Sequence, residues 1–267
     1  LGISMAVGTN AFVLTKNKLE EVLPYLTYLR INFSAGERKR YSEIMGVKES
    51  AFDRVCQNIR DMVSIKKRDN LPVTIGMQMV LMPKDGDQII PLAKLGKKLR
   101  PDYAIIKHCT DNEDGGLGID YNAYEKLYPL LEEAERLSDK DYEVVIKWSK
   151  IKDKGNAGRT YQRCYGAPFM LQMSGTGLVA PCGAFFNEKY KKFHIGNICE
   201  KRFKDIWNSD RYWEVMNYLA SPKFNAQKMC ASLCLQHKVN EALDDHIKGK
   251  TKLKRPSGKE PNHIAFI

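Results

Sequence analysis

The sequence predicts an α/β chain: a parallel sheet or partial barrel over about the first 150 residues, followed by a smaller cysteine-bearing module. Three observations predict it. Strand-like and helix-like stretches alternate four or five times through the first part with short connectors, the pattern of a parallel sheet crossed by helices. About five strands can be counted, fewer than the eight of a closed barrel. From about residue 150 the texture changes to cysteines, short strands and aromatic residues.

Each element has its own local reason. Residues 3–8 (ISMAVG) read as a strand ending in a Thr9-Asn10 turn, and a helix is expected from about Lys16 to Leu26. "YLRINFS" (28–34) is the next strand; Gly36 breaks it and "ERKRYSEIMG" opens a helical stretch. Over 50–68 the apolar positions Phe52, Val55, Ile59, Met62, Val63 and Ile65 carry helical spacing, with Ser50 as the N-cap. "PVTIGMQMVLM" (72–82) is an apolar, β-rich run and hence a buried strand. A helix at 87–99, strand "YAIIKHC" (103–109), an acidic glycine-rich loop (110–118), helix 121–137 and strand "YEVVIKW" (142–148) complete the alternation. "KIKDKGNAGR" (150–159) reads as a linker. Beyond it, 203–220 supplies helices capped at Ser209 or Asp210, 226–247 reads as helical, and the tail is basic and proline-containing.

Bulk properties bound the function. With 43% hydrophobic and 28% charged residues, 267 residues are enough to bury a core. No apolar run approaches the ~18–20 residues of a membrane span, and no signal peptide is visible, so a cytoplasmic location is expected, where disulfides are disfavoured. The +11 charge permits an anionic partner. Its excess is spread out, with local density at Lys189–Lys192 and in the tail, which argues for solvated surface over nucleic acid. The chain starts at Leu1 directly in an apolar segment; a fragment lacking its upstream part is expected.

Seven cysteines in such a chain read as metal ligands, catalytic thiols or core residues. Four have suggestive spacing: Cys164-x17-Cys182-x47-Cys230-x3-Cys234. At i, i+4 on a helix, Cys230 and Cys234 would share one face. Gly175 and Gly177 allow a hairpin that returns Cys182 to Cys164. Four thiolates satisfy zinc or a [4Fe–4S] cluster. Zinc ribbons favour paired C-x2-C knuckles, absent here, so the spacing favours a cluster and leaves zinc as the alternative. Cys56, inside an apolar helix, reads as core; Cys109 as core or pocket lining; Cys199 lacks partner spacing.

Several stretches together resemble a known family. "GTGLVAPCG" fits the G-x4-C element, Gly177 to Cys182, of the SPASM and twitch extensions of radical S-adenosylmethionine (radical SAM) enzymes. "HIGNICEKRFKDIWNSDRYWEVM" resembles their "GNI … IW-x-S" segment, and "CASLCLQHKVNE" their terminal cysteine helix. Upstream, "GTNAFVL" is similar to the "TNG" strand of the radical barrel and "YLRINFSAGERKRYSEIMG" to its "VRISLDG … H-x-x-IRG" strand and helix. The resemblance implies a partial radical SAM (β/α) barrel over 1–157, a SPASM/twitch module over 158–246 and a basic tail over 247–267. It implies an auxiliary [4Fe–4S] cluster on Cys164, Cys182, Cys230 and Cys234, the one-cluster version, because only the C-x3-C end of the full SPASM run is present. The C-x3-C-x2-C motif that holds the SAM-cleaving cluster does not occur in the sequence, so the chain alone is expected to be inactive in that cleavage.

For the intact enzyme, an oxidoreductase or maturase, the resemblance implies S-adenosylmethionine, a second [4Fe–4S] cluster and hydrogen abstraction by a 5′-deoxyadenosyl radical. It also implies a small-molecule, carbohydrate or peptide substrate and an electron donor such as flavodoxin or ferredoxin. The auxiliary cluster would accept an electron or position substrate. Thr9, Asn10 and Ser34, with Asn32 as the alternative to Ser34, fall on the cofactor side. Lys107, His108 and Asp111–Asp114 are substrate-side candidates whose plainer reading is solvated loop. His194 and His237 read as structural, and Trp207, Tyr212 and Trp213 as packing around the cysteine module. Two rival readings are a zinc-stabilised nucleic-acid-binding module and a non-catalytic cluster-binding recognition subunit.

Overall fold

A computed structural model describes residues 4–111, 115–152, 159–230, 234–254 and 257. They form two compact units: residues 4–109 with 120–152, and residues 110–111 and 115–119 with the described part of 159–257.

The first unit is the α/β part. Its strands are β1 (Ala6–Thr9), β2 (Tyr28–Asn32), β3 (Thr74–Leu81), β4 (Tyr103–His108) and β5 (Glu143–Ile146). All pair in parallel and in chain order. Right-handed crossovers between strands that advance in one direction put every connecting helix on the same face, the arrangement of a barrel arc. Those helices are α1 (Lys16–Val22), α2 (Arg38–Met45), α3 (Ser50–Arg68), α4 (Ile89–Leu99) and α5 (Tyr128–Glu135), with the short α6 (Trp148–Ile151) after the last strand.

Strand periodicity then divides the side chains. Leu29 and Ile31, Ile75, Met77, Met79 and Leu81, Ala104 and Ile106, and Val144 and Ile146 form one buried apolar face. The alternate positions, Arg30, Asn32, Gln78, Tyr103 and Lys107, make the other face polar. An apolar run such as 72–82 hides this alternation, since Gly76 and Val80 stand in register with Arg30, Tyr103 and Lys107.

Some boundaries differ from expectation. Ser50 is the first helical residue and not the cap; Glu49 precedes it without a capping side-chain bond. Residues 121–127 form a 3-10 turn before α5. Residues 153–158 of the expected linker lie outside the described residues.

The second unit holds a three-stranded antiparallel sheet, β6 (Gln172–Met173), β7 (Leu178–Ala180) and β8 (Gly196–Asn197). Its helices are α7 (Phe203–Trp207), α8 (Asp210–Ala220), α9 (Ala226–Met229) and α10 (His237–Ile247). Ser209 caps α8 by accepting from the Tyr212 amide. With strands of two or three residues, cohesion comes from aromatic packing: Phe185 and Phe193 rings lie 4.5 Å apart, with Phe224 edge-on to both. Tyr212 belongs to this core at 2% exposure, but Trp207 and Trp213 are 40% and 55% exposed. The expectation that the three serve as packing is met by Tyr212 in the core, while half-exposed Trp207 stacks on its ring and exposed Trp213 meets it edge-on. No helix among the described residues is long and apolar enough to cross a membrane.

Candidate metal centre

Four local structures deliver the four spaced cysteines. Residues 159–164 run beside α9: Arg159 Nη1 donates to the Ala226 carbonyl and the Ala226 amide to that of Gln162, both at 2.6 Å. The Cys164 amide bonds the Leu219 carbonyl at the end of α8. Cys164 is thereby fixed near the segment that carries Cys230.

Cys182 arrives through the β6–β7 hairpin. Its turn needs glycine at one position: Gly177 has φ +81°, and a Cβ there would lie 2.6 Å from Asn197 Oδ1. The Ser174 hydroxyl accepts from the Thr176 and Leu178 amides and closes the turn. After Pro181 the chain is extended at Cys182 and enters a 3-10 turn, with the Ala184 and Gly183 amides aimed at the Cys182 sulfur.

Cys230 and Cys234 do not share a helical face. Helix α9, capped by Asn225, ends at Met229, and Cys230 is extended (φ −100°, ψ 158°). Cys234 lies ahead of α10, and residues 231–233 are outside the described set. The spacing brings the two thiols to one place through a break in the helix.

All four cysteines line one cavity together with Phe185, Leu235 and Gln236, among others. Burial pushes the Cys164 thiol up to about 11, helped by the neighbouring Cys234 and opposed by hydrogen bonds from Asn240 and the Ala167 amide. Burial likewise raises Cys182 and Cys230, with Arg159 opposing in both cases. Burial thus favours the neutral thiols of Cys164, Cys182 and Cys230, whose protons a metal must displace.

Asn240, fully buried, links the sides of the cavity. Its Oδ1 accepts from the Gly166 amide at 2.8 Å, and its Nδ2 donates to Cys164 Sγ at 3.7 Å and Cys234 Sγ at 3.9 Å.

Two observations test what group these residues suit. Among the described residues no three His, Cys, Asp or Glu side chains converge tightly enough for a single metal ion. A tetrahedral zinc with Zn–S bonds of ~2.3 Å needs sulfurs within ~4 Å of each other. In a four-iron cluster each thiolate binds its own iron, so the donors spread around it. Four thiols lining one cavity supply the donor set that such a cluster needs. Gln236 is only 7% exposed and its Oε1 is buried without a hydrogen-bond partner.

The remaining candidates separate clearly. Cys56 is buried in α3 and Cys199 is exposed, its Sγ beside the Thr176 carbonyl. Cys109 lines a cleft of about 510 Å³ with Ser34, Val80 and Asp85 at the C-terminal ends of the strands, where α/β barrels place ligands. Ser34 Oγ accepts from the Val80 amide there. Thr9 and Asn10 end β1, where their side chains accept from the Ala11 and Phe12 amides. Asn32 Oδ1 accepts from Gln78.

His108 is not a loop residue: it is 2% exposed and packs on Tyr121 and Tyr124. Strand parity puts it on the helix-covered face and Lys107 on the polar one. Asp111 accepts from the Leu117 and Ile119 amides and so shapes its own loop; residues 112–114 lie outside the described set. His194 bonds the Phe185 carbonyl, and His237 bonds Tyr161 and Glu241, structural partners in each case. Sequence reasoning missed Asn240, Arg159 and Gln236. Their residue types and spacing carry no signal; only the folded contacts reveal them.

Comparison with known proteins gives the same architecture. Residues 164–235 match the SPASM family, described as an iron–sulfur cluster-binding domain. Streptococcus suis SuiB has the same fold at 17% identity and a TM-score of 0.57, covering 80% of this chain and 51% of its own. Its S-adenosylmethionine-bound form gives 0.58, also at 17% identity, over 87% and 55%. Native anSMEcpe with bound AdoMet gives 0.54 at 12% identity, over 86% and 64%. The chain therefore spans about half to two thirds of these solved structures. No curated protein matches the sequence. The resemblance to radical SAM/SPASM proteins is met by the parallel sheet, the partial-barrel likeness and the cluster-binding domain match.

Proposed function

We propose that the chain is the C-terminal part of a radical SAM/SPASM oxidoreductase or maturase, with Cys164, Cys182, Cys230 and Cys234 holding an auxiliary [4Fe–4S] cluster. The observation that carries this reading is the gathering of four thiols on one buried cavity within the SPASM match. Bound there, a cluster supplies one-electron chemistry at a potential set by its surroundings.

The chain's own residues have definite tasks. Asn240 orients Cys164 and Cys234 through one amide, and main-chain N–H groups at Ala167, Gly183 and Ala184 favour the deprotonated sulfurs. Buried Arg159 offsets the charge of the gathered thiolates. Phe185 and Leu235 make the cavity wall apolar and limit water. We assign Thr9, Asn10 and Ser34 to the S-adenosylmethionine side, since all three lie at C-terminal strand ends. SuiB has been solved bound to precursor peptide SuiA, and anSMEcpe with Kp18Cys peptide. Those two structures favour a peptide over a carbohydrate or small molecule as substrate; the electron donor proposed is flavodoxin or ferredoxin.

Anaerobic reconstitution with iron and sulfide tests the reading. Broad brown absorbance and about four irons per chain are expected, the content of one [4Fe–4S] cluster. Cys182→Ala should abolish loading and Cys199→Ala should not. One tightly bound zinc and no colour would overturn the proposal.

A further inference from the structure

The polar face of the β1–β5 sheet carries two cations, Arg30 and Lys107, that form no ion pair among the described residues. Arg30 projects from the middle of β2. Its guanidinium donates to the Tyr28 hydroxyl at 2.8 Å from Nε, to the Tyr103 hydroxyl at 3.4 Å and to Gln78 Oε1 at 3.2 Å. It also lies 4.9 Å from the centre of the Tyr28 ring. Each of these partners among the described residues is neutral. They fix where the guanidinium points and leave its charge whole.

The fit is built into the backbone. Gly76 stands between Arg30 and Tyr103 in the register, and a Cβ there would fall 2.0 Å from Tyr103 Cζ. The absent side chain lets the phenol lie across the sheet and reach the arginine.

Lys107 is the second cation. It lies on the same face of β4, paired with Val80 and so nearer the C-terminal end than Arg30. It is half-buried and makes no ion pair or side-chain hydrogen bond among the described residues. Its ammonium is held below the ordinary lysine range by burial first, then by the positive charges of Arg30, Lys150 and Lys147. Of the described strand residues on this face, Glu143 is the only carboxylate. It is exposed and stands at the opposite, N-terminal end, in register with Tyr103. Two partly desolvated cations, one with a planar fork of donors, lie on one face of the sheet near enough for their charges to repel, a combination that suits an oxyanion between them.

We infer that Arg30 and Lys107 form an oxyanion site on the polar face of the sheet and that the substrate of this protein carries a carboxylate or phosphate which seats there. The inference rests on the proposed function for the word substrate; the anion site itself does not depend on iron.

The test uses the full 267-residue chain, reduced and free of iron, titrated calorimetrically with inorganic phosphate. Saturable binding is expected. Lys107→Met should weaken it about tenfold or more, the scale of one lost charge-assisted hydrogen bond. This substitution breaks no ion pair or side-chain hydrogen bond among the described residues, so its melting temperature should stay near that of the parent. Arg30→Gln should weaken binding at least as much, with a melting curve run beside it. Equal phosphate affinity in the parent and Lys107→Met, or no saturable binding in the parent, would overturn the inference. S-adenosylmethionine is added as a competitor in the second arm. Phosphate that stays bound supports a substrate oxyanion; phosphate displaced stoichiometrically assigns the site to the cofactor's own carboxylate and overturns the substrate assignment. Failure of iron loading with phosphate binding intact sinks the proposed function and leaves the oxyanion site standing. The reverse result does the opposite.

Discussion

The two units reach stability by different means. The first buries the apolar face of five parallel strands under helices, with Ile31, Ile75, Met77, Met79 and Ile106 fully inaccessible. The second has strands of two or three residues and an aromatic cluster beside four partly buried thiols. A sheet with full ladders and a continuous aliphatic layer satisfies its own backbone and core. A small unit with little regular structure depends on cross-links, and metal–thiolate bonds are the kind its cysteines permit. One unit's fold is therefore expected to be independent of iron and the other's coupled to it.

The largest expected effect breaks or confirms that contrast directly. Withholding iron should leave amide-exchange protection in β2–β4 unchanged and sharply reduce it around Cys164, β7 and α10. Equal protection in both units with and without iron would erase the distinction. Next, Met77→Ala should destabilise the first unit by about 2–5 kcal/mol, the range for emptying a core site. Denaturant melts followed by exchange mass spectrometry should show the loss there, with iron content per chain unchanged.

A smaller effect sharpens the account of the second unit. Asn240→Ala removes a donor to two sulfurs and leaves the buried Gly166 amide without its acceptor. It should lower stability by about 1–3 kcal/mol. It should also shift the reduction potential of the loaded protein negative, since N–H donors favour the more negatively charged state. A spectroelectrochemical titration reads the shift; an unchanged potential would leave Asn240 a purely structural residue.

The smallest effect is on pH dependence. Burial raises the Cys56 thiol from its ordinary 9.0 to about 11. The folded chain then holds a proton that the unfolded chain releases. Its contribution to stability is complete below pH 9 and is lost as pH rises through about 11. Urea melts of the chain at successive pH values should show this decline beginning near pH 9, and Cys56→Ala should remove the part between pH 9 and 10, before the buried tyrosines Tyr28, Tyr41, Tyr124 and Tyr142 contribute. Alkylation at neutral pH should mark exposed Cys199 and spare Cys56.

Much of this molecule is legible in its sequence, unevenly. The parallel strands were readable because β-rich runs separated by helical periodicity leave little choice of connection. The hairpin before Cys182 was readable because Gly177 permits a backbone that other residues resist. The helical pairing of Cys230 with Cys234 was misread: spacing at i, i+4 is compatible with a helix but does not impose one, and the chain leaves α9 at Cys230. The solvated reading of His108 fails because the residue ends β4 on its buried face, and local sequence does not say which face a strand end presents.

Sequence by itself determined the alternation of strands and helices, the change of character near residue 150 and the four cysteines worth watching. These are properties of composition, period and spacing, which are local. Tertiary structure alone decided that Asn240 reaches Gly166 and Cys164, 74 and 76 positions away, and that Arg30 meets Tyr103 across Gly76, 73 positions on. Such contacts depend on register and packing, where the folded backbone sets which distant side chains meet, and no local pattern encodes that choice.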